Sequence, residues 1–273
     1  MEYTLNVRGR LMPLGGGVVM GILNATPDSF YSGSRQQTER DIAARACQIV
    51  EQGGIIVDVG AYSTRPGAAE VSEDEERARL SRALAVVRRE TPDAVVSVDT
   101  FRPAVARMAV EEYGADIIND VGAPVGGSEL LRRQMFQTVS RLGVPYILMS
   151  SASTLHDMLP SLAADVQQLR SLGQKDIIVD PGFGFGKTLE QNFHVLRDMR
   201  QLAVLGLPVL VGLSRKSMIA RTLGVSSDEA LNGTTVLNTL ALEHGASILR
   251  VHDVREAVEA VALMAKVKTA DSE

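Results

Sequence analysis

The sequence has a single cysteine and few aromatic residues, and its positive and negative charges nearly balance. Cys47 is the only cysteine among 273 residues, which excludes a disulfide framework and a cysteine-based zinc site. Lysine and arginine number 28 against 33 aspartates and glutamates, without a basic block, so we expect no nucleic-acid partner. No apolar run approaches the roughly 18 residues of a membrane span, and the N-terminal residues carry no secretory signal. We therefore expect a cytoplasmic protein without a membrane partner.

The hydrophobic residues that are present, 45% of the chain, fall into short runs separated by longer stretches of helical period. This alternation predicts strand–helix units and a parallel sheet. Eight continuously apolar runs are expected to be strands, as is typical of strands covered on both faces: 18–23, 55–59, 94–98, 115–118, 145–149, 176–179, 208–211 and 247–251.

Eight strands without a linker rich in proline, glycine or serine predict one α/β domain, a single (β/α)₈ TIM barrel over residues 1–273. Residues 1–17 and 267–273 are expected to be peripheral. An open Rossmann-like sheet is the alternative. Ser72 and Thr188 begin capping-box patterns, Pro103 suits a first helical position, and Asp253 is expected to cap a C-terminal helix.

Polar residues follow seven of the eight runs. In a barrel of this kind the carboxyl ends of all strands meet at one face, where active sites are built. An unpaired buried polar group costs about 1–3 kcal/mol, so a bound ligand explains this concentration better than stability does. The main groups are Asn24 and Asp28, then Asp58, Thr64 and Arg65, then Asp99, Asn119 and Asp120, then Asp180, then residues 214–217, and finally Arg250, His252 and Asp253.

Three of these groups favour a functional interpretation. Asp99 and Asp180 stand directly at the ends of apolar strands, and the amide of Asn119 can donate to and accept from the edge of a heterocycle. For Asp58 the functional and structural interpretations are evenly balanced, whereas Asp120 suits a turn cap.

Two segments indicate anion binding and ring stacking. Residues 214–217 lie between a strand and a short helix, so their backbone N–H groups are expected to face an anion beside Lys216. Arg250 and His252, two residues apart, form a second anion site. The glycine-rich 182–187 is not a Walker A loop, and it exposes Phe185 as a stacking wall.

The strand-end motifs GILNATPDSF, DVG with STRPGA, VSVDT, IIND, DPGFGFGK, VGLSRKSM and RVHDV resemble, in chain order, those of the dihydropteroate synthase family, across residues 18–264. The resemblance implies a transferase of folate biosynthesis. It would condense 6-hydroxymethyl-7,8-dihydropterin diphosphate with p-aminobenzoate, with loss of diphosphate to a pterin-methylene cation and then attack by the amine. It also implies Mg²⁺ as cofactor and a homodimer.

The resemblance assigns roles to residues of this chain. Asp99, Lys216 and Asp28 would be catalytic, and Asn24, Arg250 and His252 would bind the diphosphate, with Asn24 also a metal ligand. The implied pterin-binding residues are Asp99, Asn119, Met149, Asp180, Phe185 and Lys216. The implied p-aminobenzoate-binding residues are Thr64, Arg65, Pro66, Phe185, Lys216 and Ser217.

The fifth strand departs from the family pattern. Met149 is kept, but a serine-rich segment, 150–154, stands where the family usually has a histidine, and the loop before a helix at about 159–172 is expected to be short. This departure leaves open a catalytically impaired pterin-binding paralogue. A pterin-dependent methyl carrier enzyme on the same barrel is a third interpretation, disfavoured by the intact 214–217 and 250–252 motifs.

Overall fold

The protein is a parallel α/β barrel preceded by an antiparallel hairpin. The computed structural model describes residues 2–25, 35–61, 71–122 and 129–270. Its strands are β1 Thr4–Val7, β2 Arg10–Pro13, β3 Val18–Asn24, β4 Ile56–Gly60, β5 Val95–Asp99, β6 Ile117–Asp120, β7 Tyr146–Met149, β8 Ile177–Asp180, β9 Leu210–Val211 and β10 Ile248–Val251. Its α-helices are α1 Arg35–Glu51, α2 Glu73–Glu90, α3 Pro103–Tyr113, α4 Glu129–Leu142, α5 Leu155–Ser171, α6 Leu189–Asp198, α7 Ser217–Leu223, α8 Leu231–Glu243 and α9 Val254–Thr269.

The eight strands from β3 to β10 form one parallel sheet in the order β8-β7-β6-β5-β4-β3-β10-β9. A parallel bridge between Val179 and Val209 joins the two ends of this order and closes the circle. The predicted barrel is confirmed, and the open Rossmann-like alternative is wrong. In the described part of the chain, no helix is both long and apolar enough to cross a membrane.

The barrel interior changes from apolar to polar along four of its strands, β4, β6, β8 and β10. Side chains two residues apart share a face of a strand. At the amino ends the interior positions are apolar and pack together, among them Met20, Ile56, Ile117, Ile178 and Ile248. Two residues after the four isoleucines, the same face carries the polar groups Asp58, Asn119, Asp180 and Arg250. The apolar layer is the floor of the barrel, and the polar layer lines its open end, which we call the mouth.

The β1–β2 hairpin covers the amino ends of the barrel strands. Leu5 and Leu14 are 1% and 3% exposed and pack in the same cluster as the barrel floor. Arg8 donates to Asp116 through Nε and Nη2, at 2.7 and 2.8 Å, just before β6. No strand was expected within residues 1–17. The hairpin shields the closed end of the barrel from solvent.

The helix ends follow the predicted chemistry with three exceptions. Thr188 and Gln191 form the capping box of α6, and Pro103 opens α3, as predicted. The Ser72 hydroxyl accepts the N–H of Glu75 and caps α2, whereas the Glu75 carboxylate accepts from Arg79, so only half of that predicted box forms. Asp253 precedes α9 but its side chain does not cap it, because its carboxylate instead forms a bidentate ion pair with Arg215. Helix α5 begins earlier than expected, because the Thr154 hydroxyl accepts the N–H of the third helical residue and starts the helix at Leu155.

Candidate active site

The centre of the mouth is a half-buried arginine between two carboxylates. Arg250 of β10 donates through Nε to Asp58 Oδ2 at 2.7 Å and through Nη2 to Asp99 Oδ2 at 2.8 Å. The Asp58 side chain is 0% exposed and the other two are 16–21% exposed. Strands β4, β5 and β10 are therefore cross-linked inside the barrel at the level of the mouth.

Asp58 organises two further side chains. Its Oδ1 accepts from the Ser97 hydroxyl at 2.6 Å, and its Oδ2 accepts from Asn119 Nδ2 at 3.2 Å. Asn119 is fully buried, and its Oδ1 has no hydrogen-bond partner among the described residues. Asp58 thus fixes the orientation of the amide and leaves a buried acceptor unused. Since such an atom costs about 1–3 kcal/mol, a ligand donor is its expected partner.

Burial acts strongly on the charges of this group. Burial, with Asp58, Glu76 and Asp120 nearby, raises the pKa of Asp99 to about 7, although Arg250 opposes the shift. Burial alone would lower the pKa of Arg250, but Asp58 and Asp99 raise it above its usual value. The guanidinium therefore stays charged, and the pKa of Asp99 lies close to neutral pH.

Asp180 lies on the other side of the mouth at the end of β8. It is 6% exposed, and its Oδ1 accepts the N–H of Gly182 at 2.7 Å. Burial raises the pKa of Asp180, with Lys216, Arg250 and Lys187 acting against the shift. Met149 of β7 pairs in register with Asp180 and packs against Gly182. The expected pterin residues Met149 and Asp180 are thus neighbours.

Lys216 lies between Asp180 and the ring of Phe185. Its Nζ is 4.5 Å from the centroid of the Phe185 ring and donates to the carbonyl of Phe183. Burial lowers the pKa of Lys216 to about 8, while Asp180 favours the charged form. The ammonium is therefore charged at neutral pH but close to its titration range.

The glycine-rich loop that carries Phe185 is held from behind. The Gly184 N–H donates to Asn192 Oδ1 at 2.7 Å, and Asn192 is 3% exposed. Lys187 Nζ donates to the carbonyls of Gly182 and Phe185 at 2.9 and 3.3 Å. Asn192 of α6 and Lys187 thus fix the backbone of the loop that carries Phe185.

The 214–217 segment differs from its expected role as a backbone anion site. The N–H of Arg215 donates to the Thr234 hydroxyl at 2.9 Å, and the N–H of Lys216 donates to the Leu213 carbonyl at 3.2 Å. Two of its N–H groups are therefore already bonded within the protein. The N–H groups of Arg215 and Lys216 are therefore not free to face an anion. The expected anion role of the rest of the segment, with Ser217 at the start of α7, stays a prediction.

Ser214 and Arg215 instead hold the end of β10. The Ser214 hydroxyl lies 3.1 Å from His252 Nδ1 and also accepts the backbone N–H of His252 at 3.1 Å. Arg215, with a φ of 55°, pairs with Asp253 at 2.8 and 2.9 Å. His252 is half-buried, and its ring is oriented by a hydroxyl from the neighbouring strand's loop.

The remaining predicted site residues are placed as follows. Asn24 is half-buried at the end of β3, and Ser217 is exposed at the start of α7. Asp28, Thr64, Arg65 and Pro66 lie outside the described residues. No group of three or more histidine, cysteine, aspartate or glutamate side chains that could hold a metal occurs within the described ranges.

Several residues in or next to the mouth were not predictable from the motifs. The sequence favours neither a structural nor a functional interpretation of Asp58, and it does not single out Ser97 or Asn192. The missed signal for the first two is the step of two residues from a floor position, since Ile56 precedes Asp58 and Val95 precedes Ser97. Asn192 lies within a helix, and nothing in the local pattern separates it from a surface asparagine.

The fold and the mouth define an α/β-barrel enzyme with a buried polar recognition site, and comparison with known proteins identifies its class. The sequence model of one family, pterin binding enzyme, matches residues 20–252. Dihydropteroate synthase of Bacillus subtilis is 36% identical over 263 residues, 93% of this chain and 88% of that protein. The Escherichia coli K12 dihydropteroate synthase is 35% identical over 272 residues, 94% of each chain.

Solved structures agree with the sequence relatives. Xanthomonas albilineans dihydropteroate synthase with 4-aminobenzoic acid superposes with a TM-score of 0.87 at 34% identity, over 98% of this chain and 99% of that one. The same enzyme in complex with 7,8-dihydropteroate gives 0.86 at 32% identity, over 97% and 99%. The chain belongs to the dihydropteroate synthase family of pterin-binding enzymes. The predicted family and enzyme class are confirmed, and none of these findings supports the impaired paralogue.

Proposed function

We propose that this chain condenses 6-hydroxymethyl-7,8-dihydropterin diphosphate with p-aminobenzoate to give 7,8-dihydropteroate and diphosphate. The observation that carries the proposal is the buried Asn119 Oδ1, which has no partner among the described residues, in the mouth that also holds Asp180. A pterin edge offers ring and amino N–H donors to both acceptors. Charge-assisted hydrogen bonds of this kind are stronger than neutral ones.

The pterin half of the site consists of Asp99, Asn119, Asp180 and Met149, with Phe185 and Lys216 at its border. Asp180 and Asn119 accept N–H groups of the ring, and the Met149 side chain, next to Gly182, packs on its face. These roles follow from the family and from the contacts of each group within the mouth. They suit a flat heterocycle with several donors on one edge.

The chemical step breaks the carbon–oxygen bond between the pterin methylene and the diphosphate, and the leaving oxygen takes the electron pair. The amine nitrogen of p-aminobenzoate then supplies the pair for the new carbon–nitrogen bond and afterwards loses a proton to solvent. We assign to the Asp99 carboxylate the stabilisation of the positive charge that develops on the methylene-pterin. Its pairing with Arg250 holds it in place for this role.

The aminobenzoate half is assigned to Phe185, Lys216 and Ser217, together with Thr64, Arg65 and Pro66, and Asp28 is a further catalytic group. Of these residues, Lys216 and Phe185 are in direct contact through a cation–ring interaction. An aryl ring beside Phe185 and a carboxylate near the Lys216 ammonium would complete this half of the site.

The diphosphate half is assigned to Asn24, Arg250 and His252, with Mg²⁺ bound by Asn24. Mg²⁺ usually keeps several waters and takes only one or two protein oxygens beside substrate phosphates. A single amide oxygen at the end of β3 fits this pattern, because Asp58 and Asp99 are occupied by Arg250. When bound, Mg²⁺ would neutralise charge on the leaving diphosphate.

We further infer a homodimer formed through α8 and α9. Val236 and Leu240 on α8, and Leu263 and Val267 on α9, are exposed apolar residues one turn apart on adjacent helices. A second copy of the chain is the proposed occupant of this surface. Val236→Asp should convert a dimer to a monomer in analytical ultracentrifugation, and a monomeric wild-type chain would contradict the inference. We also infer a cytoplasmic location. The single cysteine suits a reducing compartment, which supports the cytoplasm as the location.

The test of the function is a coupled measurement of both products. Purified protein is incubated with the pterin diphosphate, p-aminobenzoate and Mg²⁺, and diphosphate release and 7,8-dihydropteroate are quantified together. We expect equal amounts of both products and no diphosphate release without the amine. Pterin binding without any product would support the silent paralogue and contradict the proposal.

A further inference from the structure

Arg45 of α1 contacts two strands of the barrel from outside, although no role in the reaction has been assigned to it. Its Nη2 donates to the His252 carbonyl at 2.6 Å, and its Nε donates to the Ile22 carbonyl at 3.1 Å. Its Nη1 donates to Gln48 Oε1, one turn further along the helix, at 2.8 Å. All three nitrogens of the guanidinium are therefore bonded. Two of them bond to backbone carbonyls, one within β3 and one directly after β10.

The two carbonyls belong to the point where β3 and β10 separate. The parallel register of these strands pairs Val251 with Gly21 and ends there. Ile22 on β3 and His252, which directly follows β10, are each one residue beyond that last pair. The guanidinium thus bridges the two strands where their own pairing stops, and its planar fork suits two acceptors at once.

The residues that Arg45 holds lead directly to the proposed diphosphate half. His252 itself belongs to that half, and Asn24 follows Ile22 by two residues on β3. Ser214 holds the same histidine from the other side through its backbone N–H and ring Nδ1. The separation of Asn24 and His252 is therefore set by α1 as well as by the sheet.

We propose that Arg45 is a positioning residue for the diphosphate half of the site. Because it holds the carbonyl of His252 and the strand that carries Asn24, it keeps both groups at the spacing that a diphosphate requires. The pterin half, centred on Asp180 and Asn119 across the barrel, does not depend on this bridge. The inference rests on the proposed function and adds a requirement for one half of the site only.

The test separates the phosphate half from the pterin half. The KM for the pterin diphosphate is measured together with the Kd for the corresponding pterin alcohol, which lacks the diphosphate. For Arg45→Met we expect a tenfold or larger rise in KM and a Kd for the alcohol within twofold of wild type. Arg40→Met, which removes an exposed arginine from the same helix, is the matched control and should leave both values unchanged.

A conservative variant separates positioning from charge. Arg45→Lys keeps the positive charge but lacks the planar fork, so we expect at least a threefold rise in KM for the pterin diphosphate. Arg45→Lys also tests the positioning role of Arg45 if Arg45→Met does not fold. A wild-type KM in Arg45→Lys, or equal losses for diphosphate and alcohol in either variant, would overturn the inference. Absence of turnover in the wild type would instead refute the proposed function and the inference with it.

Discussion

Buried charge defines the mouth at the scale of single residues. Removing one partner from a buried ion pair is far more destabilising than the pair is stabilising, because the remaining charge is left without compensation. Arg250 compensates both Asp58 and Asp99, so Arg250→Ala would disturb the pterin side as well as the diphosphate side. His252→Ala is consequently the better probe of diphosphate binding by itself.

The role of Asp180 is tested by Asp180→Asn. The amide keeps one acceptor but loses the charge, so we expect a 10- to 100-fold weaker Kd for the pterin, about 1.5–3 kcal/mol, by calorimetry. Asp176→Asn is the control, because Asp176 directly precedes β8 at the opposite end of the barrel. Unchanged pterin affinity in Asp180→Asn would place the pterin elsewhere.

The lowered pKa of Lys216, to about 8, predicts an alkaline limit on p-aminobenzoate binding. The ammonium is present below that pKa and is lost above it, so KM for p-aminobenzoate should rise about tenfold per pH unit above pH 8. Lys187 also has a pKa lowered to about 8 by burial, so Lys187→Met is needed as a control. We expect Lys187→Met to keep the rise in KM for p-aminobenzoate above pH 8. Loss of this rise in the variant would assign it to Lys187.

At the scale of elements, the strands were predictable and the loops only in part. Continuous apolar runs identified β3 to β10 because both faces of each strand are covered. Motif chemistry located Asp99, Asn119 and Asp180 at strand ends. The partners of these residues were not predictable, since the ion pair of Arg215 with Asp253 joins residues 38 apart and depends on barrel closure. The capping expectation for Asp253 failed for the same reason.

The close approach of two loops requires a glycine at position 182. Gly182 has a φ of +65°, and a Cβ there would lie 2.2 Å from the Ser150 carbonyl oxygen. We expect Gly182→Ala to displace the N–H that binds Asp180 and to lower stability and pterin affinity together. Gly186→Ala shares a positive φ of 62°, but its Cβ would be at an ordinary 3.5 Å from Ser151 O. Gly186→Ala should lower the free energy of unfolding by only about 1–2 kcal/mol, measured by thermal unfolding, and leave the affinity for the pterin unchanged.

Equal effects of the two glycine substitutions would contradict this account, since both share the left-handed strain and only Gly182 has the backbone contact. The contact also explains why the serine-rich 150–154 segment is compatible with the site. Ser150 is buried, and its N–H donates to the Asp180 carbonyl at 2.9 Å, so this loop supports the Asp180 loop by its backbone.

At the scale of the whole molecule, stability and binding are separated at opposite ends of the barrel. The hairpin at the closed end was missed because its strands are short and its apolar residues sparse. Asp116 connects it to the barrel by accepting from Arg8, Arg88 and the Val96 N–H at 2.7–2.9 Å. None of these groups lies at the mouth.

Asp116→Asn should therefore lower stability without changing kinetic constants. Burial alone would raise the pKa of Asp116, but its hydrogen bonds from Arg8, Val96 and Arg88 lower it overall. Its stabilisation is present above the unfolded pKa near 4 and is lost as pH falls through the lower folded pKa. We expect a loss of about 2 kcal/mol at pH 7 in denaturant unfolding, shrinking below pH 4. A changed KM for either substrate would contradict the separation.

The central claim is that the pterin binds in the mouth against Asn119 and Asp180. A crystal structure of this protein with 7,8-dihydropteroate tests it most directly. We expect pterin N–H donors within hydrogen-bonding distance of Asn119 Oδ1 and the Asp180 carboxylate, with the aryl ring beside Phe185. A well-ordered ligand that leaves Asn119 Oδ1 and Asp180 without contacts to the pterin would contradict the account.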